Sequence, residues 1–146
     1  AHRAEFVREV DGVKYYNDSI ASSPTRTALG TLSLYSRKIC IIAGGYDKHI
    51  PYEPLGPVIN DKVKLLILLG DTAPKIEKAV KEASNYDADE IEIVNVTNME
   101  EAVAVARERS TKGDIVSLSP ASASFGLYKN FEERGNHFKS IVNALK

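Results

Sequence analysis

Four short, largely apolar runs limit what this chain can fold into: Lys38–Ala43, Val63–Leu69, Ile91–Val94 and Ile115–Leu118. Between and after them, apolar residues recur at helical spacing: Ile76, Ala79, Val80 and Ala83; Met99, Ala102, Val103 and Ala106; Phe138, Ile141, Val142 and Leu145. Short runs that are apolar on consecutive residues suit strands covered on both faces, which belong to parallel sheets with helices packed on each side. The alternation predicts an α/β fold: a Rossmann-like, mostly parallel, doubly wound sheet with helices on both faces.

Local signals add detail. Ala4–Val10 and Val13–Asn17 flank Asp11-Gly12, a dipeptide suited to a type I′ turn, so the chain is expected to enter through a β-hairpin. Ser23 before Pro24 reads as an N-cap with proline at the first helical position, and Ala28, Leu29, Leu32 and Tyr35 give that helix an apolar stripe. The proline-rich stretch Tyr52–Asp61 leaves room for a short helix only. Asp71 or Thr72 is placed to cap the next helix, and Thr97 with Glu100 has the spacing of a capping box.

At 146 residues the chain is expected to form one domain spanning 1–146, with a single packed core. It is 43% hydrophobic and 27% charged, a globular composition rather than a disordered one. Lys and Arg number 19 against 20 Asp and Glu, for a formal net charge of −1, so the basic excess of a nucleic-acid partner is missing. The longest apolar run, Leu65–Leu69, is far too short to cross a bilayer, and no membrane partner is expected. Cys40 is the single cysteine, a buried reduced thiol of the kind found in cytoplasmic proteins. The chain begins at Ala1 rather than Met, as expected of a piece excised from something longer.

The densest chemistry lies in Ser117–Phe138, SLSPASASFGLYKNFEERGNHF. Hydroxyls and backbone N–H groups at the carboxyl end of a buried strand are where open α/β sheets bind ligands. The same stretch also reads as an ordinary strand-to-helix loop, with serines as caps and Phe131 in the core. Lys48 follows Gly44-Gly45 at the end of another strand, where an ammonium can meet a carboxylate or phosphate or remain a solvated loop charge. Asp18, in Asn17-Asp18-Ser19, can accept from ribose hydroxyls or a metal-bound water, or close a turn. Neither G-x-x-x-x-G-K-[ST] nor G-x-G-x-x-G after a strand is present, so the chain has no evident means of holding ATP by itself. His2, His49 and His137 show no metal-ligand spacing, and no metal site is expected.

Three motifs occur in the order found in the Mur ligases, in particular the branch that adds D-glutamate in peptidoglycan synthesis: His2-Arg3 with YNDSIASSP at 16–24, GGYDK at 44–48, and SPASAS followed by KNFEERGNHF at 119–138. The chain resembles the C-terminal domain of that family along nearly its whole length. The resemblance implies ATP-dependent amide formation, in which the carboxylate of UDP-N-acetylmuramoyl-L-alanine is phosphorylated and then attacked by the amine of D-glutamate. It implies that Lys48, Ser22, Ser124 and Phe131 bind D-glutamate, Phe131 through its main chain. Arg3, Asp18 and Asn17 are implied to face the nucleotide. ATP and Mg²⁺ are implied to be held mainly by a central domain, with a UDP-binding domain before it.

No residue of this chain is assigned a catalytic role. The family pattern often has lysine where this chain has Ile20, which removes one cation and gives Lys48 more weight; Ser22 keeps the hydroxyl of the usual threonine. The protein is expected to be cytoplasmic and monomeric. Alternatives are another Mur ligase, a folylpolyglutamate synthase-like ligase, or a stand-alone flavodoxin-like binding module. Against the last, the early strands end in Gly-Gly and Gly-Asp rather than in acidic clusters.

Overall fold

A computed structural model describes residues 2–146. The strands are β1 (Glu5–Val10), β2 (Val13–Asn17), β3 (Ile39–Ala43), β4 (Val63–Leu68), β5 (Glu92–Asn95) and β6 (Ile115–Leu118). They form one sheet in the order β1-β2-β6-β3-β4-β5, with β1–β2 antiparallel and every other pairing parallel. This is the expected α/β architecture. Asp11 and Gly12 both have positive φ (52° and 80°), as a type I′ hairpin turn requires, and Val10 pairs with Val13 across it.

The helices are α1 (Pro24–Arg26), α2 (Leu55–Lys62), α3 (Ala73–Glu82), α4 (Met99–Arg109) and α5 (Phe131–Asn143). Alternate residues of β3 serve opposite cores, as the two-residue period of a strand demands. Cys40 and Ile42 face Met99, Val103, Phe138 and Val142 of α4 and α5, while Ile39, Ile41 and Ala43 face Leu55, Ile59, Ile76 and Val80 of α2 and α3. Full burial of one such side chain stabilises the fold by about 1.5–3 kcal/mol. The hairpin is tied to α5 by Arg8, whose Nη1 donates to the carbonyls of Val142, Asn143 and Leu145 at 3.2, 3.1 and 2.9 Å. A cation at a helix C-terminus satisfies carbonyls that have no partner within the helix.

Three local expectations are corrected. Ser23 does cap α1, accepting from Arg26 N at 3.2 Å, but the helix passes at once into a π turn (Thr27–Thr31) and a 3-10 turn (Leu32–Leu34). The change of period breaks the predicted stripe: Leu32 is fully buried while Leu29 is 72% exposed. The cap of α4 is Asn98, one residue beyond Thr97. Asn98 Oδ1 accepts from Glu101 N at 2.7 Å, and Glu101 reaches back to Thr97, because asparagine is the stronger N-cap. Thr72 stands at the N-cap of α3, but its hydroxyl makes no cap bond and is used elsewhere.

Candidate functional site

The carboxyl ends of β2, β6, β3, β4 and β5 share one edge of the sheet. At that edge the chain leaving β3 goes to α2 on one face, while the chain leaving β6 goes to α5 on the other. Divergence of neighbouring connections opens a crevice at the sheet's switch point. Gly44 and Gly45 form its β3 wall and Ala123 and Ser124 its β6 wall, with Arg134 of α5 also lining it, and the space between them is only about 10 Å³. The walls are laced by main-chain bonds: Gly44 N donates to Pro120 O at 2.8 Å and Tyr46 N to Ala123 O at 2.9 Å. Gly44 has φ of 112°, and a Cβ there would lie 1.9 Å from the Leu69 carbonyl oxygen, so only glycine lets these strand ends meet.

A buried hydroxyl chain supports the floor. Tyr52 Oη donates to Ala121 O at 3.0 Å and lies 2.8 Å from Ser122 Oγ, which lies 2.8 Å from Thr72 Oγ1, which accepts from Gly45 N at 2.9 Å. Three connecting segments meet in this chain with each hydroxyl partnered, which holds a polar interior in place.

Arg134 is the charged centre. It is buried, and among the described residues no carboxylate pairs with it. Its guanidinium donates from Nε to Ser19 Oγ (2.9 Å), from Nη1 to Ser122 O (2.8 Å), and from Nη2 to Ser19 O (2.7 Å) and Ser22 Oγ (3.1 Å). Burial pulls its pKa down to about 10, so it stays charged at neutral pH. The hydrogen bonds solvate the cation without neutralising it, and its field favours an anion beside it.

The sequence candidates fall into distinct settings. Ser124 is half-buried in the crevice; its carbonyl accepts from Tyr128 N at 2.9 Å, and it is not a helix cap, since Asn130 caps α5 by accepting from Glu133 N. Ser22 joins the same centre through Arg134. The Phe131 carbonyl accepts from Ser19 Oγ at 2.7 Å, and its ring meets His2 edge to face with centroids 5.9 Å apart. Lys48 is exposed on the loop after Gly44-Gly45, beside Asp47, whose carboxylate is taken by Lys75 at 2.6 Å.

Arg3 and Asp18 lie apart from the crevice, in a groove of about 570 Å³ with Ile20, Arg26, Leu29 and Leu34. Asp18 Oδ1 accepts from Ala4 N at 3.0 Å. Burial raises the Asp18 pKa to about 6, with the Ala4 N–H and the Arg3 charge acting in the opposite sense. Asn17 is fully buried: its Nδ2 meets His2 Nδ1 (2.9 Å) and Glu5 Oε1 (3.1 Å), and its Oδ1 accepts from Ser19 N (3.1 Å). Its side chain braces the loop that presents Asp18. Gly135 permits this packing, since a Cβ there would lie 2.3 Å from His2 Nδ1.

The motif reading gave Arg134, Thr72 and Tyr52 no place in the site. Arg134 had two legible signals: it stands within KNFEERGNHF, and it lies four residues before Phe138 and eight before Val142, on the buried stripe of α5. Thr72 and Tyr52 had none, because their partners are 27 to 70 residues away.

Comparison with known proteins agrees with this geometry. Residues 2–122 match the family described as Mur ligase, glutamate ligase domain. The UDP-N-acetylmuramoylalanine–D-glutamate ligase of Acetivibrio thermocellus is 58% identical over 147 residues, covering 99% of this chain and 31% of the relative. The enzyme of the same name from Clostridium botulinum (strain Okra / Type B1) is 59% identical over 144 residues, with the same coverage. The chain thus spans about a third of the length of the curated relatives it matches.

Among solved structures, a domain from a putative UDP-N-acetylmuramate:L-alanyl-γ-D-glutamyl-meso-diaminopimelate ligase of Haemophilus ducreyi matches with TM-score 0.61 at 12% identity, covering 94% of this chain and 98% of that one. The UDP-N-acetylmuramate–alanine ligase of Thermotoga maritima matches with TM-score 0.61 at 9% identity, covering 99% and 30%. At such identities these two show a shared fold. The sequence match over residues 2–122, the close curated relatives and the glycine-and-serine crevice at the sheet's switch point lead to one assignment: the chain belongs to the Mur ligase family, in its glutamate ligase domain.

Proposed function

We propose that this chain is the C-terminal, amino-acid-binding domain of a cytoplasmic ligase that joins D-glutamate to UDP-N-acetylmuramoyl-L-alanine using ATP. The observation that carries the reading is the Arg134 cation, buried without a carboxylate partner and lining the same crevice as Ser124. The crevice is narrow, about 10 Å³, and does not enclose an amino acid in this structure; the field of Arg134 and the half-buried Ser124 hydroxyl favour an anionic group docking at its mouth. Lys48, on the exposed loop after Gly44-Gly45, supplies a second cation for a substrate carboxylate.

In this reading the amino-acid carboxylates are held by Lys48, Ser124, Ser22 and the main chain near Phe131, which leaves the amine free to attack. An unactivated carboxylate is a poor electrophile, so ATP first phosphorylates the carboxylate of UDP-N-acetylmuramoyl-L-alanine. The amine then adds to the acyl carbonyl and loses a proton, and inorganic phosphate leaves. This domain contributes orientation, which converts a bimolecular encounter into a positioned one. Arg3 and Asp18 line the groove read as facing the nucleotide, and Asn17 braces that loop.

Among the described residues no three or more His, Cys, Asp and Glu side chains converge as a metal site. The residues present do not fit a self-contained Mg²⁺ site, and the reading assigns Mg²⁺ and most of ATP to a preceding domain. No helix among the described residues is long and apolar enough to cross a membrane.

The test is phosphate release by the full-length polypeptide, given ATP, Mg²⁺ and UDP-N-acetylmuramoyl-L-alanine, with and without D-glutamate. Release that requires D-glutamate is the expected result. Equal release with another amino acid and none with D-glutamate would overturn the reading.

A further inference from the structure

Three side chains from three separate segments form a line that the proposed binding scheme leaves unused. Tyr128 Oη lies 2.6 Å from His137 Nδ1, and His137 Nε2 lies 3.0 Å from Glu100 Oε2. Tyr128 belongs to the loop after β6, His137 to α5 and Glu100 to the first turn of α4. A carboxylate can only accept, so Nε2 carries the proton that points at Glu100. In the neutral imidazole Nδ1 is then an acceptor, and Tyr128 is its donor.

The loop held by this line carries Ser124. Tyr128 N donates to Ser124 O at 2.9 Å, closing a turn whose other side chains, Phe125 and Leu127, are largely exposed. Tyr46 anchors the start of the turn, through its bridge to Ala123 and its ring against Phe125. The far end is anchored by Tyr128, whose ring packs on the core below α4 and α5 and whose hydroxyl enters the line. Ser124, Tyr128 and Arg134 line the same crevice. Burial raises the Tyr128 hydroxyl pKa to about 12, which keeps it a donor.

We infer that Tyr128, His137 and Glu100 are positioning residues for the amino-acid site: the line holds the Ser124–Tyr128 turn against α5 and α4 and sets the height of the Ser124 hydroxyl in the crevice. The proposed binding scheme gives none of the three a bond to substrate; Tyr128 lines the crevice, but its hydroxyl is taken by His137. The inference rests on the reading that Ser124 contacts D-glutamate. Two orienting bonds in series act on one hydroxyl, as a second layer of hydrogen bonds does at other polar sites.

The test uses the full-length enzyme and steady-state kinetics for each substrate. Tyr128→Phe keeps the packed ring and removes only the hydroxyl; it is expected to raise KM for D-glutamate about threefold to tenfold, leaving KM for ATP and for UDP-N-acetylmuramoyl-L-alanine unchanged. His137→Ala should reproduce this rise. His137→Asn should partly restore KM, since an amide can stand where Nδ1 stood. The double variant Tyr128→Phe/His137→Ala should be no worse than either single one, because both break the same line.

Ser124→Ala is measured alongside. If it raises KM while Tyr128→Phe and His137→Ala do not, the positioning role is overturned and the site reading stands. If Ser124→Ala leaves KM unchanged as well, the site reading fails and takes the positioning role with it. A fall in melting temperature without a change in KM for D-glutamate makes the line a matter of stability alone and also overturns the inference.

Discussion

Arg134 and Ser19, 115 residues apart in sequence, are joined by two hydrogen bonds, Nε to Ser19 Oγ at 2.9 Å and Nη2 to the Ser19 carbonyl at 2.7 Å. Ser19 Oγ in turn donates to the Phe131 carbonyl at 2.7 Å, so the start of α5 is locked to the loop after β2. The pair lies between the loop that carries Asp18, in the groove with Arg3, and the crevice that Arg134 lines with Ser124.

Arg134→Lys tests that centre. A lysine ammonium is a point charge and cannot span Ser19, Ser22 and Ser122 together, so buried acceptors lose their partners. The expected loss is about 2–4 kcal/mol of stability by denaturant titration, against less than about 1 kcal/mol if the guanidinium geometry is immaterial.

Lys48→Ala is expected to leave stability unchanged, since the residue is exposed. In the full-length enzyme it should lower kcat/KM for D-glutamate by roughly thirtyfold or more, the loss of a charged partner of about 2–5 kcal/mol. A fall of less than about threefold identifies Lys48 as a solvated loop residue.

Ser124→Ala should raise KM for D-glutamate by roughly tenfold, as loss of a hydrogen bond to a charged group of about 1.5–3 kcal/mol implies. Its melting temperature should match the parent, because Asn130 and not Ser124 caps α5. A lowered melting temperature with unchanged KM assigns Ser124 to structure.

Asp18→Asn should stabilise the domain at neutral pH. Burial raises the folded-state pKa of Asp18 from its ordinary 3.8 to about 6. The folded state therefore holds this proton longer than the unfolded one, and the contribution favours folding below the lower value and is lost as pH rises toward the upper. At about 1.4 kcal/mol per pKa unit the full difference reaches about 3 kcal/mol, an upper bound for the gain at pH 7.5. The gain should shrink to near zero at pH 3.5, as read by urea unfolding at both values. An equal gain at both pH values would refute the burial account.

What the sequence determined by itself was whatever depends on near neighbours. The alternation of strand and helix, the Asp11-Gly12 turn, the Ser23 cap and the buried stripe of α4 follow from periods and φ preferences within one element. The order of motifs was sufficient to indicate the family. Tertiary structure decided which polar groups share a site, because hydrogen bonds between distant loops leave no periodic trace. It placed β6 between β2 and β3, and that insertion brings Ser124 to Gly44-Gly45 and sets Arg134 between Ser19 and Ser122. It also turned Thr72 away from its helix to serve Gly45, and put Leu29 in solvent through a π turn. In each case a contact made only after the sheet is assembled outweighs a local preference worth about 1 kcal/mol or less.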